Sequence, residues 1–190
     1  MTKFSLKQTV AIAVLAGASA GAYADTEQSL GTISTSFPTT FSSVVAPTTT
    51  GFSDIFTFTV AEPNLGVGAS VVNIPLNVSG FTFDTVLATM SLVSAGADNA
   101  IGGGDDTVLQ SVVLPSSGNS TDHLSLNWDT PVSGGLHYLN ITGVTGGSEG
   151  GIYSGAIASA VPEPETYAML LAGLGLMGAV VRRRGTRKSS

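Results

Sequence analysis

From residue 51 to residue 160, apolar and polar side chains alternate with a period of two, in runs of five to ten residues. Each run stops at a cluster of Gly, Ser, Asn, Asp or Pro. That pattern gives β-strands with one face in a core, and nothing helical can satisfy it. Phe56, Phe58 and Val60 share one side, with Thr57 and Thr59 on the other. Val72, Ile74, Leu76 and Val78 alternate with Val71, Asn73, Pro75 and Asn77, and Val86, Ala88, Met90 and Leu92 with Thr85, Thr89 and Ser91. Leu124, Leu126 and Trp128 face away from His123, Ser125 and Asn127, and residues 107–114, 135–145 and 151–160 read as further strands. The turn clusters SAGADNAIGGGDD, PSSGNS, DTPVSGG and GGSEGG separate the runs. The expected fold is all-β: an antiparallel β-sandwich, jelly-roll or immunoglobulin-like, of about seven to nine short strands. Pro75 cannot donate to a ladder, so its strand is expected at an edge or a bulge. Residues 25–50 are rich in Ser and Thr and weakly patterned, which suits an edge strand or a loose arm.

The two ends break the pattern. Residues 1–24 have the layout of a signal peptide, expected as a helix: Lys3 and Lys7, an apolar stretch over 10–18, and the small-x-small exit Ala22-Tyr23-Ala24, so that cleavage leaves Asp25 as the first mature residue. A G-x-S-x-G string at 17–21 falls inside this removable leader, without the strand and helix a nucleophile elbow needs. At the other end, residues 167–181 carry no charge. As a helix they span roughly 22 Å at about 1.5 Å per residue, short of a bilayer core of roughly 30 Å. A start near residue 165 gives a better span, with Glu165 at the interface. Arg182, Arg183 and Arg184 open the basic tail 182–190 and mark the cytoplasmic side of a single C-terminal transmembrane helix over about 165–181. The string GLGLMG within that helix has no preceding strand and reads as close helix approach, not as a nucleotide loop. The expected organisation is a signal peptide (1–24), an exported β domain (25–160) and a sorting and anchor segment (161–190).

Charge narrows the function. All seven Lys and Arg residues lie at the two ends, and residues 25–161 hold eleven Asp and Glu with no base. Such a body repels phosphate backbones, so no nucleic-acid partner is expected, and it attracts cations. The chain has no cysteine, which removes disulfides, thiolate nucleophiles and an N-terminal lipidated cysteine.

Four features invite a chemical reading. Asp98, Asn99, Asp105 and Asp106 fall in one glycine-bearing loop. Oxygen ligands of that kind suit calcium, against a plain solvated acidic turn; the loop occurs once and lacks the spacing of the calcium-binding nonapeptide repeat. Asp54 counts by twos onto the face of Phe52 and Phe56, so a turn role before the strand is expected of it. His123 and His137, with Asp122 and any of many serines, supply the parts of a hydrolytic triad but no sign of its geometry, and as strand residues they are expected to face solvent. Trp128, Tyr138 and Tyr153 are candidate stacking platforms for a sugar.

The motif Val161, Pro162, Glu163 and Pro164, the apolar stretch after it and the arginines Arg182 to Arg184 together resemble a PEP-CTERM sorting signal. The resemblance implies a Gram-negative bacterium and recognition by an exosortase, a membrane enzyme resembling a cysteine protease, cleaving near the Pro-Glu-Pro motif. Cleavage would follow anchoring in the inner membrane through the C-terminal helix, with delivery to the cell surface or medium and association with exopolysaccharide, biofilm or floc matrix. Phe52, Asp54 and Phe56 in GFSDIFTFTV resemble the signature of the FxDxF group of PEP-CTERM proteins, which implies no chemistry. The expected role is that of a non-enzymatic surface or matrix protein, the alternatives being a carbohydrate-binding module or a secreted hydrolase. Peptide mass spectrometry of the exported protein should find Asp25 at its N-terminus; recovery of a chain that still begins at Met1 would show that the leader is not removed.

Overall fold

The computed structural model describes residues 26–160, 170–174, 176 and 177. The signal peptide with its exit residues Ala22, Ala24 and Asp25, the motif Val161 to Pro164 and the arginines Arg182 to Arg184 lie outside the described residues. Residues 170–174, 176 and 177 are helical and exposed. Among the described residues no helix is long and apolar enough to cross a membrane. Most of the expected span 165–181 lies outside them.

The body is built of strands β1 (Glu27–Ile33), β2 (Thr39–Val45), β3 (Phe52–Val60), β4 (Gly66–Asn73), β5 (Leu76–Val78), β6 (Phe81–Phe83), β7 (Thr85–Ser94), β8 (Thr107–Val113), β9 (His123–Trp128), β10 (His137–Thr145) and β11 (Gly151–Ala160). They form a five-stranded sheet in the order β1-β3-β10-β7-β8 and a four-stranded sheet in the order β2-β11-β4-β9, with β5 and β6 as a separate ribbon. The two sheets share one apolar core. Phe56, Leu92, Leu139 and Ile141 enter it from the first sheet and Val71, Leu124, Tyr153 and Ile157 from the second, all fully enclosed. A β-sandwich is therefore what the alternation produces.

Three departures from the sequence reading have local causes. The sandwich is not wholly antiparallel, because β1 pairs parallel with β3. Between them β2 crosses to the opposite sheet, and such a crossover is what lets two strands of one sheet run the same way. The second departure is the row Val72, Ile74, Leu76, Val78, which does not form one face. The strand starts earlier, at Gly66, and buries Val67, Ala69 and Val71, while Val72 and Ile74 are exposed. Pro75 separates β4 from the ribbon strand β5, so it ends a ladder, where its missing N–H costs nothing.

The third departure lies in β7. Its pairing with β10 slips between Thr142 and Gly143, so that Ala88 has no residue opposite it. An extra residue reverses the alternation. Before it Leu87 points inward, after it Met90 and Leu92 do, and Val86 and Ala88 are left outside. Gly143 is required here, since a Cβ would lie 2.4 Å from the Val86 carbonyl oxygen. The enclosed side chain of Leu139, at the centre of the five-stranded sheet, is the most direct probe of the core. Leu139→Ala should lower unfolding free energy by about 2–5 kcal/mol in denaturant titration, by lost transfer energy plus the cavity left behind.

Candidate functional site

Strand β3 turns Phe52, Asp54, Phe56, Phe58 and Val60 into the core. Asp54 is fully enclosed within the strand, and the turn role expected from its charge does not hold. Alternate residues of a strand lie about 7 Å apart on one face. Phe52 and Phe56 accordingly flank a slot with the carboxylate between them, and Tyr153 of β11 fills it from the opposite sheet. The Tyr153 ring is stacked against Phe52, with centroids 5.7 Å apart, and meets Phe56 edge-on at 6.4 Å. Its hydroxyl donates to Asp54 Oδ2 at 2.5 Å. Asp54 Oδ1 accepts the backbone N–H of Thr26 at 2.8 Å, and the Thr26 carbonyl in turn accepts from Ile55 N at 2.7 Å. Phe41 of β2 closes the group, 4.4 Å from the Phe56 ring.

The electrostatics follow from enclosure without a cation. Burial pushes the Asp54 carboxyl above its ordinary value, and the hydrogen bonds from the Tyr153 hydroxyl and the Thr26 N–H pull it back by less. Burial also raises the Tyr153 phenol, and the adjacent Asp54 charge adds to it.

The acidic loop between β7 and β8 uses its carboxylates on itself. Asp105 Oδ2 accepts from Ala97 N at 2.7 Å, Asp98 Oδ1 from Ala100 N at 2.9 Å, and Asp106 Oδ2 from Gly102 N at 2.7 Å and the Tyr138 hydroxyl at 2.8 Å. Asn99 Oδ1 accepts from Leu136 N. The N–H of Ala97 holds the exposed Asp105 carboxyl below its ordinary range. Burial, then the Asp106 hydrogen bond and charge, push the Tyr138 phenol up to about 12. The loop is thereby laced down, with Ile101 and Leu136 covering Val93, Ala95 and Tyr138 on the outer face of the five-stranded sheet. The candidate calcium ligands Asp98, Asp105 and Asp106 are each engaged by N–H groups of the loop itself, as in a plain acidic turn. Among the described residues no three carboxylates or imidazoles come together in a way that could hold a metal ion.

The histidines are apart, His123 in the four-stranded sheet and His137 in the five-stranded one. His123 is half-buried, whereas His137 is enclosed, against the expectation that both face solvent. The His137 ring is stacked on Phe58, Nδ1 donates to the Gly135 carbonyl, and burial lowers its pKa. Of the three candidate sugar platforms, Tyr138 and Tyr153 are buried, which withdraws them as stacking surfaces, and Trp128 is half-buried against the core.

Strand β11 continues from Tyr153 to Ala160, whose carbonyl accepts from Leu65 N at 2.8 Å. A trough of about 490 Å³ opens there, lined by Leu65, Gly66, Gly68, Trp128, Pro131 and Ala160 among others.

Fold and site define a β-sandwich domain whose last strand ends at Ala160 and is followed in the sequence by a C-terminal tail. That tail is a PEP-CTERM protein-sorting motif, matched over residues 160–184. The motif implies an exported protein sorted by an exosortase. No curated protein matches the sequence. The solved structures it resembles include the pre-peptidase C-terminal domain of collagenase from Bacillus anthracis, 13% identical, with 69% of this chain and 93% of that chain covered and a TM-score of 0.37. Another is a family 6 carbohydrate-binding module, 10% identical, with 72% of this chain and 98% of that chain covered and a TM-score of 0.29.

The Asp54 cluster generates a paired prediction. An acid whose pKa is raised by folding holds its proton more tightly in the native state, so its contribution to stability falls as pH rises from about 3.8 through the raised value. Asp54→Asn removes that slope. Its unfolding free energy relative to wild type should rise as the pH climbs above about 3.8 and level off once the pH has passed the raised value. Asp54→Ala leaves the Thr26 N–H and the Tyr153 hydroxyl enclosed without a partner and should cost about 2–4 kcal/mol at neutral pH. Denaturant titrations of both variants across pH check the pair.

Proposed function

We propose that this chain is an exported, non-enzymatic component of the cell surface or extracellular matrix, held in the inner membrane by its C-terminal helix until an exosortase cuts near residues 161–164. The observation that carries this reading is the junction between domain and tail. The sorting motif begins at Ala160, the last residue of β11, and β11 lies between β2 and β4 in the four-stranded sheet. A folded domain is therefore fixed two residues from Pro162. Proline holds the residues around it extended and out of helix, which suits entry into a protease cleft.

The composition of the domain supports the same role. An uncharged-to-acidic surface with no Lys or Arg stays soluble outside the cell and does not adhere to nucleic acid or to anionic lipid. Its natural surroundings are a hydrated polysaccharide matrix and the divalent cations within it.

Mass spectrometry of the protein recovered from membrane, surface and medium fractions tests the proposal. A surface or medium form should end within or next to residues 161–164, with the arginines confined to the membrane fraction. A full-length chain ending at Ser190 in the medium, or recovered from the cytosol, would contradict it.

A further inference from the structure

The enclosed carboxylate of Asp54 takes hold of the start of the domain. Its Oδ1 accepts the N–H of Thr26 at 2.8 Å, and the Thr26 carbonyl accepts from Ile55 N, so the Thr26 backbone is held on both sides. The other carboxylate oxygen accepts from the Tyr153 hydroxyl. Both donors are neutral, and residues 25–161 contain no Lys or Arg that could supply a charge. Enclosure without a counter-charge is what pushes this carboxyl up.

The backbone nitrogen before that of Thr26 belongs to Asp25. Standard bond lengths and angles keep successive backbone nitrogens within about 3.7 Å of one another. The Asp25 nitrogen is therefore no farther than about 6.5 Å from Asp54 Oδ1, a limit reached only if the three atoms lie in line. While the leader is attached, that nitrogen is a neutral amide. Hydrolysis of the Ala24–Asp25 bond adds water. Ala24 leaves as a carboxylate, its acid proton passes to the freed amine, and Asp25 keeps an α-ammonium with an ordinary pKa of about 8. Opposite charges within about 4–6 Å stabilise one another.

We propose that removal of the leader completes the core electrostatically: the α-ammonium freed at Asp25 becomes the counter-charge of Asp54, and the exported domain is tied together more firmly than its precursor. The inference rests on the reading of residues 1–24 as a leader cut before Asp25. A precursor without the pair is the easier form to hold unfolded for export. The pair offsets part of the rise that burial imposes on Asp54. Other titratable groups around it are few. Tyr153 faces Asp54 from β11, Glu27 is exposed on β1, and Asp25 brings its own carboxylate. β2 has none, and His137 of β10 lies opposite Phe58 rather than Asp54. The native state holds the proton of the amine more tightly than the unfolded chain does. The contribution is thus whole below about pH 8 and is lost as the pH rises past it.

The test compares the exported protein, its N-terminus read by mass spectrometry, with the same protein acetylated on the α-amine. Lys188, the only other amine after residue 24, lies in the tail. Urea titrations followed by Trp128, the single tryptophan, give the unfolding constant. At about pH 7 acetylation should raise that constant at least about threefold, the scale of a partly exposed ion pair. The difference should vanish by about pH 10, where the untreated amine is itself neutral. Asp54→Asn protein should show no difference at either pH. Equal stability of the two forms at neutral pH overturns the proposal. So does a difference that persists at high pH, which needs no variant to read. A difference that Asp54→Asn shares also overturns it, since the amine then acts on another acid. A recovered chain that begins elsewhere than Asp25 overturns the leader reading and the proposal with it.

Discussion

One hydrogen bond, from the Tyr153 hydroxyl to the enclosed carboxylate of Asp54, crosses between the two sheets at the centre of the core. Apolar side chains fill such a core, but their attraction has little direction, and a sheet can slide over its partner at small cost. A polar pair in a low-dielectric interior is directional and costly to leave unmade, so it fixes how the sheets lie on one another. Through its other oxygen Asp54 takes hold of Thr26, the second residue of the chain expected after signal-peptide removal. The start of the domain, β3 and the final strand β11 thus meet at one side chain, and β11 runs from there into the sorting motif. The string Phe52, Asp54, Phe56 is in this light a receptacle, two rings and an acid at alternate positions shaped for one tyrosine.

The absence of Lys and Arg from residues 25–161 governs how every other acid is handled. With no basic side chain within the domain to pair with, a carboxylate there must face water or accept from a neutral donor. Asp54 does the second with a phenol and a backbone N–H. Asp98, Asp105 and Asp106 do it with the N–H groups of their own loop, which ties that loop over Val93, Ala95 and Tyr138. A body held this way owes little to ion pairing, so added salt has few bonds to screen, while its net negative charge keeps copies apart.

Much of the sandwich was legible because period-two alternation is a local signal. β3, β8, β9, β10 and β11 fall where the alternation places them, and Leu124 and Leu126 face the core as read. The misreadings share a cause, which is that pairing is not local. Nothing in Val86, Ala88, Met90 and Leu92 reveals that Ala88 will be left without a partner opposite Thr142 and Gly143 and so reverse the row. Nothing near Glu27 announces a parallel partner, because that depends on β2 crossing to the other sheet. Asp54 was misplaced because burying a carboxylate is disfavoured in isolation, and the phenol that makes it tolerable lies 99 residues away. His137 and Tyr138 were read as surface groups for the same reason: the phenylalanine and the acidic loop that enclose them come from elsewhere in the chain.

If the Asp54 contact makes the two sheets one cooperative unit, the strand ahead of the sorting motif is as secure as the centre of the domain. Native-state hydrogen exchange of the full chain, followed peptide by peptide with increasing denaturant, measures this directly. The amides of β3 and β11 should exchange together, through the same global opening and with the same dependence on denaturant. Exchange of β11 through a separate, low-energy opening while β3 remains protected would contradict the account.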